Sequence, residues 1–293
     1  MFSHHQMIIN SIVVVILLFN GLLLPSKAKE VPFDNYYSIT YGNDHVMLFN
    51  QGREVQLSMD VDSGAGFGSK VKYGSGFFHM RIKVPGRNSA GVVTTFYLRS
   101  NTTNHDEVDF EFLGNKEGKP YTLQTNVFAN GVGDREQRTL LWFDPTADFH
   151  SYQILWNPNQ IVFYVDNFPI RVFKNNTAIG VGYPSQPMQI LASIWDGDDW
   201  ATDGGQTKID WSYAPFEAHY QGFNVDGCPF LDNHTRNCAS SNYWWNRRKF
   251  WKLNAHQEKL YRDVRKRYMN YDYCVDRNRH PVPPLECRSN SYL

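Results

Sequence analysis

Cysteine is missing from the first 227 residues of this 293-residue chain. The four that exist, Cys228, Cys238, Cys274 and Cys287, all fall in the last quarter. No CxxC or HxxxH spacing accompanies them, so the usual signature of a zinc site is absent. Charge of one sign is lacking too: 29 Lys plus Arg balance 29 Asp plus Glu. A net charge of zero gives no global field to recruit nucleic acid or a membrane surface. There is no GxSxG for a serine nucleophile and no Walker-type phosphate loop. Internal repeats and low-complexity tracts are also absent.

A long apolar run occurs near the start, from Ile8 to Leu24, interrupted by Asn10, Ser11, Asn20 and Gly21 and closed by Pro25. It is short for a membrane span of about 20 residues, and no basic stop-transfer cluster follows. Ser26 and Ala28 fit a signal-peptidase site, so residues 1–28 are expected to be a secretion signal rather than an anchor. Three sequons agree with secretion, at Asn101, Asn175 and Asn233. Four cysteines permit three pairings. The sequential one, Cys228–Cys238 with Cys274–Cys287, closes two short loops and suits an oxidising compartment.

Residues 29–217 carry short strand-like runs broken by Gly, Pro, Asn and Asp. Examples are "VQLSMDV" (55–61), "FFHMRIKV" (77–84), "GVVTTFYLRS" (91–100), "YTLQTNVF" (121–128), "SYQILW" (151–156), "QIVFYVD" (160–166) and "PMQILASIW" (187–195). Many alternate apolar with polar residues, as half-buried antiparallel strands do, and "NPNQ" (157–160) reads as a tight turn joining two of them. Helical periodicity is nearly absent there, so an all-β, two-sheet sandwich is expected. Aromatic residues reach 15%, with 8 Trp and 17 Tyr. Rings in such number serve packing or act as platforms for flat apolar ligand faces such as sugar rings.

The character changes at about residue 218. From there to Leu293 stand 13 Lys or Arg against 7 Asp or Glu. In "NAHQEKLYRDVRKRYMNY" apolar or aromatic residues recur at Leu260, Val264 and Tyr268, the spacing of an amphipathic helix laid on something larger. The segment 218–293 has too few apolar residues for a core of its own and is expected to be a disulfide-stapled extension of the sandwich.

One stretch carries chemistry. In "HDEVDFEFLG" (105–114), Glu107, Asp109 and Glu111 lie two apart. On a strand they share one face with His105, while Val108, Phe110 and Phe112 point into the core. Two glutamates four residues apart start about 13 Å apart at Cα, from four rises of about 3.3 Å. Side chains leaning together approach the carboxyl separation, about 5–5.5 Å, of a retaining glycosidase. Like charges that close cannot both ionise freely, so one carboxyl stays protonated as an acid. A plain solvated acidic face and a Ca²⁺ site are the other readings of this spacing.

The whole stretch with its sequel resembles the xyloglucan endotransglucosylase/hydrolases of glycoside hydrolase family 16. "HDEVDFEFLGN" matches that family's active-site motif. The likeness continues through "PYTLQTNVFANGVGDREQR" (120–138), "LWFDPTADFHSYQILWN" (141–157), "SIWDGDDWATDGG" (193–205), "DWSYAPF" (210–216) and "YDYCVDRNRHPVPPLEC" (271–287). The resemblance implies a curved jelly-roll sandwich, with Glu107 as nucleophile, Glu111 as general acid/base and Asp109 assisting the nucleophile. It implies sugar contacts from Tyr97, Gln124, Asn126, Asp134, Arg135, Glu136, Arg138, Trp195, Asp199, Trp200 and Gly204, and an acceptor side lined by Tyr271 and Arg279. Xyloglucan chains serve as donor and acceptor, with no cofactor or metal, and the enzyme is expected to be a monomer in the extracellular cell wall and apoplast. Predominant hydrolysis is the alternative within the family, and a non-catalytic glucan lectin the alternative outside it. Asp203 stands where many transferases of the family carry Arg, and Asn115, in "NKE", lacks the sequon that many members have there.

Overall fold

The computed structural model describes residues 31–230 and 237–288. The expected signal segment and the Asn233 sequon lie outside them. Alternating runs become sixteen strands: β1 (Tyr37–Tyr41), β2 (Val46–Phe49), β3 (Glu54–Met59), β4 (Ala65–Ser69), β5 (Lys72–Lys83), β6 (Val92–Arg99), β7 (Glu107–Leu113), β8 (Thr122–Phe128), β9 (Gln137–Leu140), β10 (His150–Trp156), β11 (Gln160–Val165), β12 (Phe168–Lys174), β13 (Gln189–Asp196), β14 (Phe216–Gln221), β15 (Asp226–Phe230) and β16 (Met269–Asp272). The first sheet runs in the order β1-β4-β13-β6-β7-β8-β9-β16. The second runs β12-β11-β10-β5-β14-β3-β2, with β15 also pairing β5. The expected two-sheet sandwich is therefore present, built from antiparallel pairs.

Each strand that faces the other sheet contributes every second residue to a shared core. Phe96, Val108, Phe110, Phe112, Tyr152 and Phe163 are fully buried there. Phe110 meets Phe163 edge to face, with ring centroids 5.1 Å apart, and Phe112 meets Tyr152 at 4.6 Å. Such pairs add about 0.5–1.5 kcal/mol each beyond area burial. They fasten β7 to the opposite sheet, which holds the outer face of that strand in place. The "NPNQ" turn is fixed by Asn157, whose Oδ1 accepts from the N–H groups of Asn159 and Gln160.

The expected boundary at 217/218 falls inside β14, a strand in the interior of the second sheet. The shift in charge and cysteine content marks where the covering layer begins, and the sheet hydrogen bonds continue through it. The extension then packs outside the second sheet: Trp245, Leu253, Tyr261 and Cys228 cover Leu155, Val162, Tyr164 and Val172. The amphipathic stretch is helix α1 (Ala255–Tyr268), opened by a capping box between Asn254 and Gln257. Its most buried residues are Tyr261 and Val264. Val264 is buried as expected and Tyr268 packs against the core, while Leu260 is only half-buried and Tyr261 takes the inward position beside it.

Beyond α1 the chain returns to the first sheet, where β16 pairs with β9 and becomes an edge of the sheet that holds β7. A short helix, α2 (Leu285–Arg288), follows. The disulfides Cys228–Cys238 and Cys274–Cys287 adopt the sequential pairing. No helix among the described residues is long and apolar enough to cross a membrane.

Candidate active site

On β7 the alternation separates two chemistries. Val108, Phe110 and Phe112 fill the core, and Glu107, Asp109 and Glu111 occupy the outer face. That face is not a solvated one: Asp109 is 4% exposed and the Glu107 side chain 16%. Among the described residues no group of three or more His, Cys, Asp or Glu side chains is arranged to hold a metal ion.

Flanking strands supply partners in rows. Arg99 on β6 stands opposite Glu107, Tyr97 opposite Asp109, and Thr95 opposite Glu111. From β8, Phe128, Asn126 and Gln124 face the same three carboxylates in turn. The Glu111 row continues through Arg138 on β9 to Tyr271 on β16. Its members are joined side chain to side chain. Gln124 Nε2 donates to Glu111 Oε2 at 2.6 Å, Arg138 Nε donates to Gln124 Oε1 at 2.7 Å, and the Arg138 guanidinium lies over the Tyr271 ring at 5.4 Å.

Electrostatics divides the three acids. Burial pushes Glu107 up to about 7; Arg99 opposes that rise and the Glu111 charge adds to it. Burial raises Glu111 as well, while the Gln124 hydrogen bond and Arg138 pull it down. Asp109 is driven well above the ordinary carboxylate range by burial first and by both flanking glutamates second. It is thus the natural holder of a shared proton. Glu107 Oε2 and Asp109 Oδ1 are buried without a hydrogen-bond partner. Two adjacent carboxyls in that state favour keeping one proton between them over carrying two charges.

The other sequence-derived residues distribute unevenly. Tyr97, pushed up to about 12 mainly by burial, keeps its phenolic proton. Asn126 is buried, and its Oδ1 accepts from the Val127 and Arg135 N–H groups. Trp195 and Trp200 are half-buried beside Leu113, one row beyond Glu111, with centroids 6.1 Å apart. Asp199 is fully exposed and pairs with Lys208 at 3.3 Å. Arg279 ties Asp134 and Glu136 together. Gly204 (φ 65°) meets open space, while Gly205 (φ 84°) leaves no room for a Cβ, which would sit 2.0 Å from the Asp199 carbonyl oxygen.

Arg135 stands apart from its neighbours. Its side chain alternates away from Glu136 and is buried, bonding Glu286 Oε1 at 2.7 Å and the carbonyls of Val127 and Val132. The guanidinium is a strut between the β8–β9 loop and α2 and is not joined to the row of side chains around Glu111. Asn101 is exposed, and Asn175 bonds the hydroxyl of Thr177 within its own sequon.

Sequence reasoning missed five contributors. Arg99, at the end of β6, lies 3.3 Å from Glu107 Oε2. Thr95 and Ser193 exchange hydroxyl contacts at 2.7 Å next to Glu111. Arg171 crosses from β12 and donates to Thr125 O and Arg135 O at 2.6 Å each, a buried cation behind Asp109. Asp106 turns opposite to Glu107 and accepts from the N–H groups of Asn130, Ser185 and Gln186 at 2.7–2.8 Å, fixing the entry to β7. Only Arg99 carried a local signal, a cation placed by alternation on the outer face of β6.

Comparison with known proteins agrees with this geometry. Residues 33–213 match the model of glycosyl hydrolases family 16, and residues 239–287 match that of the xyloglucan endo-transglycosylase C-terminus. The chain is 58% identical over 279 residues to xyloglucan endotransglucosylase/hydrolase protein 2 of Arabidopsis thaliana, covering 94% of this chain and 96% of that one. It is 51% identical over 266 residues to xyloglucan endotransglucosylase protein 2 of Diospyros kaki, covering 90% of each chain. Among solved structures, a Bacillus licheniformis beta-glucanase superposes with a TM-score of 0.53 at 27% identity, covering 65% of this chain and 93% of that one. The apo Crh5 transglycosylase gives 0.51 at 25% identity, covering 65% and 80%. By sequence, fold and the arrangement of β7, this chain belongs to glycoside hydrolase family 16, within its xyloglucan endotransglucosylase/hydrolase branch.

Proposed function

We propose that this chain is a retaining transglucosylase of the plant cell wall, which cuts the β-1,4-glucan backbone of xyloglucan and passes the cut end to another xyloglucan chain. The observation that carries this reading is the outer face of β7, where Glu107 and Glu111 flank a buried Asp109 that favours a proton. A lectin has no use for a buried, proton-sharing carboxyl between two others. The row from Glu111 through Gln124 and Arg138 to Tyr271 links the acid to the C-terminal extension, where a sugar acceptor would lie.

In the first step Glu111 gives its proton to the departing glycosidic oxygen while Glu107 attacks the anomeric carbon. Protonated Asp109 donates toward Glu107 and holds its carboxylate in one orientation. In the second step the acceptor hydroxyl attacks the glycosyl-enzyme, its proton passes to Glu111, and Glu107 leaves as a carboxylate. Water at that point gives hydrolysis; a xyloglucan chain end gives transfer. Tyr97, Trp195 and Trp200 offer ring faces for sugar stacking, and the Asp134–Arg279–Glu136 cluster borders the acceptor side. The protein acts as a secreted monomer in this reading.

The test incubates purified protein with high-molecular-mass xyloglucan and a fluorescent xyloglucan oligosaccharide. Label entering polymer faster than new reducing ends form is the expected result. New ends without label would make the protein a hydrolase. Undiminished polymer binding with no turnover in either the native chain or Glu107→Ala would make it a lectin.

A further inference from the structure

We infer that Arg99 is a positioning residue that holds Glu107 in its ionised form and favours its release from the covalent intermediate. The inference rests on Glu107 being the nucleophile. Arg99 closes β6 directly across from Glu107, with Nε 3.3 Å from Oε2. His105 Nε2 approaches the same oxygen at 3.5 Å. That oxygen is buried and has no hydrogen-bond partner, so its charge is offset through space by the Arg99 guanidinium.

The groups facing Glu107 come from three directions. β6 presents Arg99 and Tyr97, β7 presents Asp109 and Glu111, and the preceding loop presents His105; Phe128 on the β8 side carries no charge. Tyr97 keeps its proton, Glu111 opposes a negative Glu107, and the Asp109 carboxyl favours it through a hydrogen bond. His105 is held below the usual histidine range by burial and by Arg99 itself, which disfavours its charged form. Arg99 is therefore the one permanent cation within ion-pair reach of Glu107 among the described residues.

Its charge acts differently on the two half-reactions. When the Glu107 oxygen bonds to the anomeric carbon and the glycosidic C–O bond breaks, the carboxylate becomes a neutral ester and Arg99 loses its counter-charge. When the acceptor oxygen bonds to that carbon and gives its proton to Glu111, the C–O bond to Glu107 breaks. The electron pair returns to the carboxylate, next to the waiting guanidinium. Arg99 thus favours the ionised resting state and the second departure, at the expense of some nucleophilicity in the first step.

The test compares Arg99→Gln and Arg99→Lys with the native enzyme in kcat/KM against pH, with Glu107→Gln as reference. Activity needs ionised Glu107 and is lost as pH falls through its folded pKa. Removing the cation raises that pKa, so the acid limb of Arg99→Gln should move up by about one unit or more, within the range a neighbouring charge commands. Arg99→Lys should restore the native limb, and the glycosyl-enzyme should accumulate further in Arg99→Gln than in the native protein. An unmoved limb, or a loss equal at every pH, would overturn the inference while leaving Glu107 in its role. Turnover surviving in Glu107→Gln would instead remove the reading beneath it. Arg99 is half-exposed at 47%, so the Gln variant keeps the core intact.

Discussion

Gln124 hands its amide N–H to Glu111 at 2.6 Å because Arg138 leaves it no choice. The Arg138 guanidinium has only donors, and its Nε lies 2.7 Å from Gln124 Oε1. The amide oxygen must face Arg138, so the NH₂ faces Glu111. A donor to a carboxylate favours its charged form, and Gln124 does lower a Glu111 pKa that burial raises.

Replacing Gln124 with Met should therefore let the Glu111 pKa climb. Glu111 must be protonated to act as acid, so activity is present below its folded pKa and lost as pH rises through it. The variant should keep its residual activity to higher pH than the native enzyme, while kcat falls about tenfold from lost alignment, equivalent to ~1.4 kcal/mol. A pH profile of kcat between 5 and 9, values set about the usual operating range of such carboxyls, reads both effects. An alkaline limb that stays in place would show that the amide has no hold on Glu111.

Asp109 gives a second expectation, in activity and in stability together. Its folded pKa stands well above the unfolded value of about 3.9. For an acid shifted upward, the native state binds the extra proton, so stability is complete below the unfolded pKa and declines as pH rises toward the folded one. Asp109→Asn is neutral at every pH and escapes that decline. Its melting temperature should exceed that of the native protein by more at pH 8 than at pH 5, pH values chosen on either side of neutral. The amide still carries N–H donors for Glu107, so Asp109→Asn should retain about tenfold more kcat than Asp109→Ala. Equal activity in the two variants would mean that no proton on this side chain assists the nucleophile.

Legibility in the sequence followed the range of each interaction. Alternation on β7 placed Glu107, Asp109 and Glu111 on one face and Val108, Phe110 and Phe112 in the core, because a strand's period of two is a local property. The family resemblance carried Gln124, Asn126 and Arg138, which sit on neighbouring strands. What stayed hidden depends on register and on crossing the sandwich. Arg171 reaches the β8–β9 region from the other sheet, and nothing near residue 171 announces a buried cation. Asp106 gathers N–H groups from residues 130, 185 and 186, contacts that only tertiary structure creates. Arg135 was expected at the sugar from the family resemblance alone, whereas alternation with Glu136 turns its side chain inward toward α2. The boundary at 218 falls within β14 because composition reports the covering layer, and β14 belongs to the sheet beneath.

That inward turn leads to the third expectation. Arg135 and Glu286 form an ion pair at 2.7 Å with side chains only 10% and 11% exposed. Removing one partner of such a pair leaves a charge in a poorly solvated place, at a cost of about 3 kcal/mol. Arg135→Met should therefore lower the unfolding midpoint in urea substantially. Glu286 stays close by in the variant, since the Cys274–Cys287 disulfide fastens α2 beside it. Arg135→Met combined with Glu286→Leu removes both charges and should recover a good part of the loss. KM for the polymer should move little at temperatures where the variant is folded, because the guanidinium faces α2 and two backbone carbonyls. A large rise in KM with an unchanged urea midpoint would return Arg135 to the sugar-binding face.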